Sequence, residues 1–373
     1  MKLTIPRKEI KAAIAGLSRV LPKRKFLPIL QSVRIAVENG KATATTTDLD
    51  QQLTYRFKDF DAQGDGVVLV PFETLKLLNG GLNSEPVTIE AADGNDVIIT
   101  NTVAGQSVPR RFATIAPDEW PSPMTAADVG PVDPAFLTNF RRASLFASAD
   151  PCRMILNGIF LNVTDSGDYI VATDGRRLGA FNTIKFPLSS SCVVPASKFM
   201  TWTKLAGDEL LIGHKGDADG GWFRLVTALW DYRCRTQPGT YPNWKQVVPA
   251  DGGAHIVELS ESDAELLRTV LPKTFPGHDA HCAPVKIEAH ADNRVSIAGR
   301  GGDDKSPSRL DLVNSRGVGP AGFITVDRFK LLDALAAGFR RFAFEDEKSP
   351  LHSRDEAGGV HVLMPVNGAH SED

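Results

Sequence analysis

Two rhythms of apolar and polar positions alternate along this chain, and the alternation occurs three times. Stripes at helical spacing come first, followed by short runs of period two that read as strands. The stretch "PRKEIKAAIAGLSRVL" puts Ile10, Ile14, Leu17 and Leu21 on one stripe, with Lys8, Lys11 and Arg19 opposite. In "VDPAFLTNFRRASLFA", Asp133 suits the N-cap and Pro134 the first helical position. There Phe136, Phe140 and Ala143 face inward, while Arg141 and Arg142 lie off the stripe. The third copy, "LSESDAELLRTVL", has a capping-box spacing from Ser262 to Glu265 and a stripe of Leu266, Leu267, Val270 and Leu271, with Arg268 outside it.

A second helix is predicted after a short β run in each copy. Pro71 in "VLVPFETLKLL", Pro195 in "CVVPASKFMTWTKL" and Thr325 in "GFITVDRFKLLDAL" hold matching places. A Thr-Asp step recurs between strand-like runs, at Thr47-Asp48 and Thr173-Asp174. The repeat is about 125 residues long, and each copy carries two helices and several short strands. The pattern predicts an α+β fold of three domains, residues 1–126, 127–252 and 253–373, each with two helices packed on antiparallel sheets. Linkers rich in Gly, Ala, Pro and Asp, "TAADVGPVDP" and "PADGGAH", mark the boundaries.

The chain has 373 residues, a size that calls for more than one core, and a net charge of −3. No global basicity advertises a nucleic-acid partner, so such a role has to come from local placement of charge. That placement is suggestive. Lys8, Lys11, Arg19, Lys76, Arg141, Arg142, Lys198, Lys204, Arg268, Arg328 and Lys330 fall on the expected solvent faces of the repeated helices. Four cysteines lie far apart with no CxxC pair, as in reduced cytosolic chains, and no run reaches the roughly 20 apolar residues of a membrane span. A cytoplasmic protein is expected.

Catalytic signals are thin. Asp48, Asp50 and Asp174 are candidates for a metal-bound carboxylate site in phosphoryl transfer, but the repeat assigns them to different domains. "GRGGDDKS" departs from the phosphate-loop pattern where Asp304 replaces the second glycine. "HDAHC" groups His278, Asp279, His281 and Cys282, ligand types that a polar loop also collects. "PLSSSC" offers hydroxyls without a neighbouring base.

Several segments together resemble the bacterial β sliding clamp, the processivity subunit of DNA polymerase III. They are "FLPILQSVRI", "TTTDLDQQL", "MILNGIFLNV", "VATDGRRLGA", "YPNWKQVVP" and "VLMPV", in the family's order along nearly the whole chain. The resemblance implies three clamp domains per chain and a head-to-tail homodimeric ring around duplex DNA, gripped without regard to base sequence. It implies a non-catalytic subunit without cofactor or metal. The implied partners are the DNA polymerase III α subunit, the clamp loader and repair proteins, which carry short clamp-binding motifs.

Carried over position by position, Arg24, with Lys23 and Lys25, would lie near the DNA path, beside the helix cations Lys8, Lys11, Lys76, Arg141, Arg142, Lys198, Arg268 and Arg328. Where the family has paired tyrosines this chain has Arg153 and Met154, so a phosphate contact from Arg153 replaces base stacking. The partner-peptide pocket would comprise Leu156, Thr173, Gly175, Arg176, Arg177, Leu178, Pro242, Val247, Val362, Met364, Pro365 and Val366. Asp174 is expected to hold its turn through backbone N–H groups. Arg176 stands where the family has histidine, Gln246 where it often has arginine, and "NGAHSED" extends the C-terminus. The third domain follows the pattern most loosely, which leaves open a diverged clamp paralogue working outside the main replisome.

Overall fold

Strand pairing, more than helix packing, organises this protein. The computed structural model describes the chain apart from residues 23–26, 184, 206–208, 218–219, 275–282, 300–307 and 367–373. Lys23, Arg24, Lys25, the cluster from His278 to Cys282, Asp304 and the C-terminal extension therefore lie outside the described residues. The chain divides into two compact units: Met1–Leu137 with Phe186–Pro238, and Thr138–Lys185 with Gly239–Asp373.

The first unit holds two antiparallel sheets among the described residues. One runs in the order Asp61–Gln63, Lys2–Pro6, Pro86–Ala91, Asp96–Val103, Gln106–Ala113. The other runs Gly130–Pro131, Leu211–Asp217, Gly220–Val226, Trp230–Arg235, Gln51–Arg56, Lys41–Thr47, Ser32–Glu38, Gly66–Pro71. Within it Trp230 faces Tyr55 and Cys234 faces Gln51, so a strand of the first repeat is sealed by one from the second. The second unit repeats the device. Its larger sheet continues from Gly158–Asn162 through Asp168–Thr173 and Arg177–Thr183 to Val360–Leu363, Leu351–Arg354, Arg341–Phe344, His255–Glu258 and Arg316–Val318. Arg177 faces Leu363 and Leu178 faces Val362, again joining one repeat to the next. A four-stranded sheet, Ser308–Asp311, Val295–Gly299, Pro284–Ala289, Gly322–Asp327, completes this unit.

Helix α1 (Arg7–Leu17) buries Ile10, Ile14 and Leu17 as its stripe predicts. Gly16 lets it approach the sheet, since a Cβ there would lie 2.1 Å from the Trp230 ring. Arg7, fully buried, donates to the Leu78 and Leu82 carbonyls and pairs with Glu85 at 3.2 Å, pinning the start of α1 to the chain that follows α2 (Phe72–Lys76). Helix α3 (Ala135–Ser144) is capped by Asp133, whose Oδ1 accepts from Ala135 N at 2.7 Å, and it buries Phe136, Phe140 and Ala143.

Two expectations are corrected. Helix α4 (Glu261–Thr274) is capped by Ser260, which accepts from Asp263 N at 3.1 Å, and not by Ser262; Asp263 is buried and takes the Asn314 N–H and the Ser315 hydroxyl. The face that packs carries Ala264, Leu267 and Leu271, while Leu266 is exposed. The helix expected after Pro195 is a set of turns. Ser197 Oγ accepts from Met200 N and the Thr201 N–H and hydroxyl both donate to Ser197 O, a single capped turn that does not continue as a helix. In the third repeat the matching helix, α5 (Arg328–Ala336), forms under an Asp327 cap that accepts from Phe329 N and Lys330 N.

Gly16→Ala should therefore destabilise the first unit by about 1–3 kcal/mol, the usual cost of overpacking, although alanine favours helix. Chemical denaturation followed by tryptophan fluorescence checks this, and an unchanged midpoint would refute the tight contact.

Candidate functional site

The Thr-Asp step builds one turn twice. In the second unit Asp174 Oδ1 accepts from Arg176 N at 2.8 Å and Arg177 N at 3.0 Å, while Thr173 Oγ1 takes Gly175 N and donates to Arg177 O. In the first unit Asp48 Oδ1 accepts from Asp50 N and Gln51 N, while Thr47 Oγ1 takes Leu49 N and donates to Gln51 O. The central residue has a left-handed backbone in both, φ 85° at Gly175 and φ 80° at Leu49. Asp174 is thus a turn-forming residue, as expected. Asp48 and Asp174 spend their carboxylates on backbone N–H groups, and among the described residues no three His, Cys, Asp or Glu side chains are grouped to hold a metal ion.

The turn presents the strand Arg177–Thr183, whose neighbour is Val360–Leu363. Leu178 and Val362 lie opposite each other, each 3% exposed, and Met364 N donates to Arg176 O at 2.8 Å just past the strand end. Val366 N then donates to Thr325 O, which carries Pro365 along the same edge. The segment 241–247 packs on this sheet: Tyr241 stacks on Phe160 at 4.7 Å and Trp244 Nε1 donates to Asn162. Pro242 and Val247 are exposed beside these anchors, and Leu156 is half-buried in the turn after Arg153. Buried Leu178 and Val362 and exposed Met364, Val247 and Pro242 therefore belong to one sheet and the segments laid on it. Gly175 and Arg176 are exposed at the turn.

Arg177 has a different place. Its guanidinium pairs with Asp174 at 3.1 Å and with Asp333 of α5, and lies over the Phe146 ring. At 11% side-chain exposure it supports the sheet from within, while Leu178 and Val362 beside it are buried more deeply still. Beside it lies His361, fully buried among Phe146, Phe339 and Phe342. Burial, with the neighbouring Arg177 and His352, pushes its imidazole down to about 3. Nothing in the local sequence signals Asp333 or His361 as parts of this layer, because both reach it through strand and helix packing.

The basic residues divide into four groups. Lys198, Lys204 and Arg153 are exposed; Arg153 donates to Asp174 O at 3.0 Å. Lys8 with Asp59, Lys76 with Glu73, and Arg268 with Glu265 form solvent-exposed pairs that water and salt screen. Lys11 bonds Gly81 O and Asn83, Lys330 pairs with Asp327, Arg19 lies over the Trp202 ring, and Arg141 is half-buried. Arg142 and Arg328 correct the expectation of a solvent face. Arg142 donates to Ala337 O, pairs with Asp355 and stacks on Phe181, and Arg328 is 1% exposed.

Comparison with known proteins places this geometry. Residues 1–122 match the family model described as DNA polymerase III beta subunit, N-terminal domain. The beta sliding clamp of Synechococcus elongatus is 28% identical over 67% of this chain and 68% of its own length. That of Pseudomonas aeruginosa is 22% identical over 98% of this chain and 100% of its own. The DNA polymerase sliding clamp of Bacillus subtilis superimposes with a TM-score of 0.83 at 18% identity, covering 98% of this chain and 99% of that one. The resemblance to the bacterial β sliding clamp is borne out, and the chain has the fold of the sliding clamps.

Asp174→Ala should lower stability by about 1–3 kcal/mol, because two N–H groups and the Arg177 guanidinium lose their acceptor; a melting temperature equal to the parent's would refute the role. His361 sets a pH dependence. Between pH 6.5 and about 3 the unfolded chain binds a proton that the folded chain refuses, so stability falls as pH drops, by at most about 1.4 kcal/mol per pH unit. Denaturation midpoints from pH 7 to 4.5 should show this slope, and His361→Phe should flatten it.

Proposed function

We propose that this chain is a DNA sliding clamp. Two copies close head to tail into a ring around duplex DNA and tether the replicative polymerase and other partners, and no bond is made or broken. The observation that carries the reading is the recurrence of one strand pairing. The strand after each Thr-Asp turn, Gln51–Arg56 or Arg177–Thr183, pairs with the last strand of the following repeat, Trp230–Arg235 or Val360–Leu363. By the same count the third repeat offers Ser308–Asp311 and the first offers Gln106–Ala113. Each is an edge of its sheet among the described residues. Among the described residues each edge lacks the partner that the repeat's order would give it, and a second copy supplies that counterpart. Such a heterologous contact closes into a ring and removes edges that would otherwise aggregate.

Duplex DNA presents about one phosphate charge per 1.7 Å, so exposed cations bind it without reading bases. Lys8, Lys11, Lys76, Arg141, Arg153, Lys198 and Arg268 supply these contacts in our reading, joined by Lys23, Arg24 and Lys25. Weak exposed ion pairs suit the task, since a phosphate displaces the carboxylate at little cost and the protein slides. Arg142 and Arg328 are left out, being committed to the interior. Leu156, Thr173, Gly175, Arg176, Leu178, Pro242, Val247, Val362, Met364, Pro365 and Val366 form a cleft for the short apolar motif of partner proteins. Leucine, valine and an exposed methionine accept leucine and phenylalanine side chains of varied partners.

Light scattering at micromolar concentration should give twice the chain mass, and a strictly monomeric protein would remove the ring. A fluorescent peptide with a Gln-Leu-x-Leu-Phe motif should bind, and Met364→Ala with Leu178→Ala should weaken it by about tenfold or more, corresponding to 1.4 kcal/mol. Equal binding by the double variant would defeat the cleft assignment.

A further inference from the structure

The Thr-Asp turn of the first unit heads a sheet face laid out like that of the proposed cleft, but its side chains carry charge. In the second unit Leu178, Val362 and His352 form one row across neighbouring strands, and Met364 N donates to Arg176 O at the turn. In the first unit Gln52, Arg233 and Arg224 form the matching row, and Arg235 N donates to Asp50 O at 2.8 Å. Arg233 thus holds the place of Val362, and Arg235 that of Met364. The next row on this face is Lys215, Trp222 and Arg235, each opposite the next on adjacent strands. Phe223 and Cys234, one position away, point to the other face and are buried.

The cations here play two parts. Arg56, Arg224 and Arg233 converge on Asp231 at 3.3, 2.7 and 3.2 Å, and Arg224 and Arg233 also donate to Ala127 O and Met124 O. Their N–H groups are largely committed, but three guanidiniums on one carboxylate leave positive charge in excess, even with Asp128 near Arg224. Arg235 and Lys215 are free to act. The Arg235 side chain is 61% exposed, its ion pair with the exposed Asp50 is 3.6 Å long, and its guanidinium donates no hydrogen bond to a described residue. Lys215 is exposed and has no ion pair among the described residues. The Arg235 guanidinium lies over the Trp222 ring, 5.0 Å from its centroid, which holds the plane of the fork while its edge stays in solvent.

We propose that this face docks an acidic segment of a partner protein, whose aspartate or glutamate carboxylates are taken by Arg235 on its tryptophan and by Lys215. A fork held flat on a ring accepts a carboxylate bidentately with little further ordering. Lys215 and Arg235 stand two strand spacings apart, roughly 10 Å, and alternate side chains of an extended segment repeat at roughly 7 Å, so the two long stems reach successive carboxylates on one side of it. The Asp231 group behind them adds attraction at longer range. A nucleic-acid strand fits worse: exposed Asp50 and Asp128 interrupt a continuous run of phosphates, and Arg235 occupies the ring face on which a base would stack. The proposal goes beyond the apolar cleft and stands on the charge of this face alone.

The test is fluorescence anisotropy of the full-length protein with a rhodamine-labelled hexapeptide of alternating Glu and Ser, which carries no clamp-binding motif. The expected result is saturable binding at low salt, weakened about fivefold or more in Arg235→Gln with Lys215→Gln and lost with the Gln-Ser peptide. Both side chains are exposed, so the double variant keeps the fold. Met364→Ala with Leu178→Ala should bind the acidic peptide as the parent does, whether or not the cleft reading holds. Equal binding by the Gln-Ser peptide means that charge is not recognised, and unchanged affinity in the Arg235 and Lys215 variant means that the peptide sits on other cations. An oligothymidylate that binds the parent more tightly than the acidic peptide and loses as much in the same variant means that the face serves a polyanion; each of these overturns the proposal.

Discussion

Every backbone N–H and C=O along a strand needs a partner, and this constraint governs the protein at each junction between repeats. Gln51–Arg56 would be an open edge in an isolated first repeat, as Arg177–Thr183 would be in the second. Each is closed by a strand contributed more than a hundred residues later in sequence. The repeats therefore do not behave as beads on a string. The chain forms two compact units, each built from one terminal repeat and part of the middle one. A mode of assembly that always defers one pairing to the next repeat leaves one open edge in the first repeat and one in the third, and the proposed ring answers that deficit.

Charge is used economically inside this frame. Of the cations that the repeated helices carry, some stay in exposed pairs while others bind carbonyls and rings in the interior. Arg7, Arg142, Arg177 and Arg328 look in sequence like any other helix or turn arginine, yet each is largely withdrawn from solvent. Such groups fix the position of one segment against another, because a guanidinium reaches several acceptors at once. Arg7 alone bonds Leu78, Leu82, Asn101 and Glu85. The weak exposed pairs suit the proposed grip on a polyanion that must move, and the interior ones suit a scaffold that must not.

The Thr-Asp turn shows how one local device meets two requirements. Hydroxyl and carboxylate satisfy the same backbone groups at residues 47–51 and 173–177. The first copy tolerates Leu49 at its left-handed position, whereas the second has Gly175, beside which only the Arg153 guanidinium approaches. Glycine there keeps the backbone open where the cleft is proposed. Asp174 also holds Arg177, and through Arg177 reaches Asp333 and the buried layer around Phe146. Cleft geometry and unit stability are coupled through this residue.

Much of the fold was legible in the sequence because it depends on neighbours a few residues apart. The α1 and α3 stripes, the Asp133 cap, the Thr-Asp turns and the threefold recurrence all follow from local spacing. The errors arose where a local rule met competing local bonds or a distant partner. Ser260 capped α4 ahead of Ser262, and Ser197 and Thr201 held a turn where a helix was expected. Burial of Arg142 and Arg328, withdrawal of Arg177, and the layer around His361 were decided by strands and helices meeting across more than a hundred residues. A sequence pattern states which face of an element is apolar, but it does not state which arginine will find a carbonyl at the far end of another repeat.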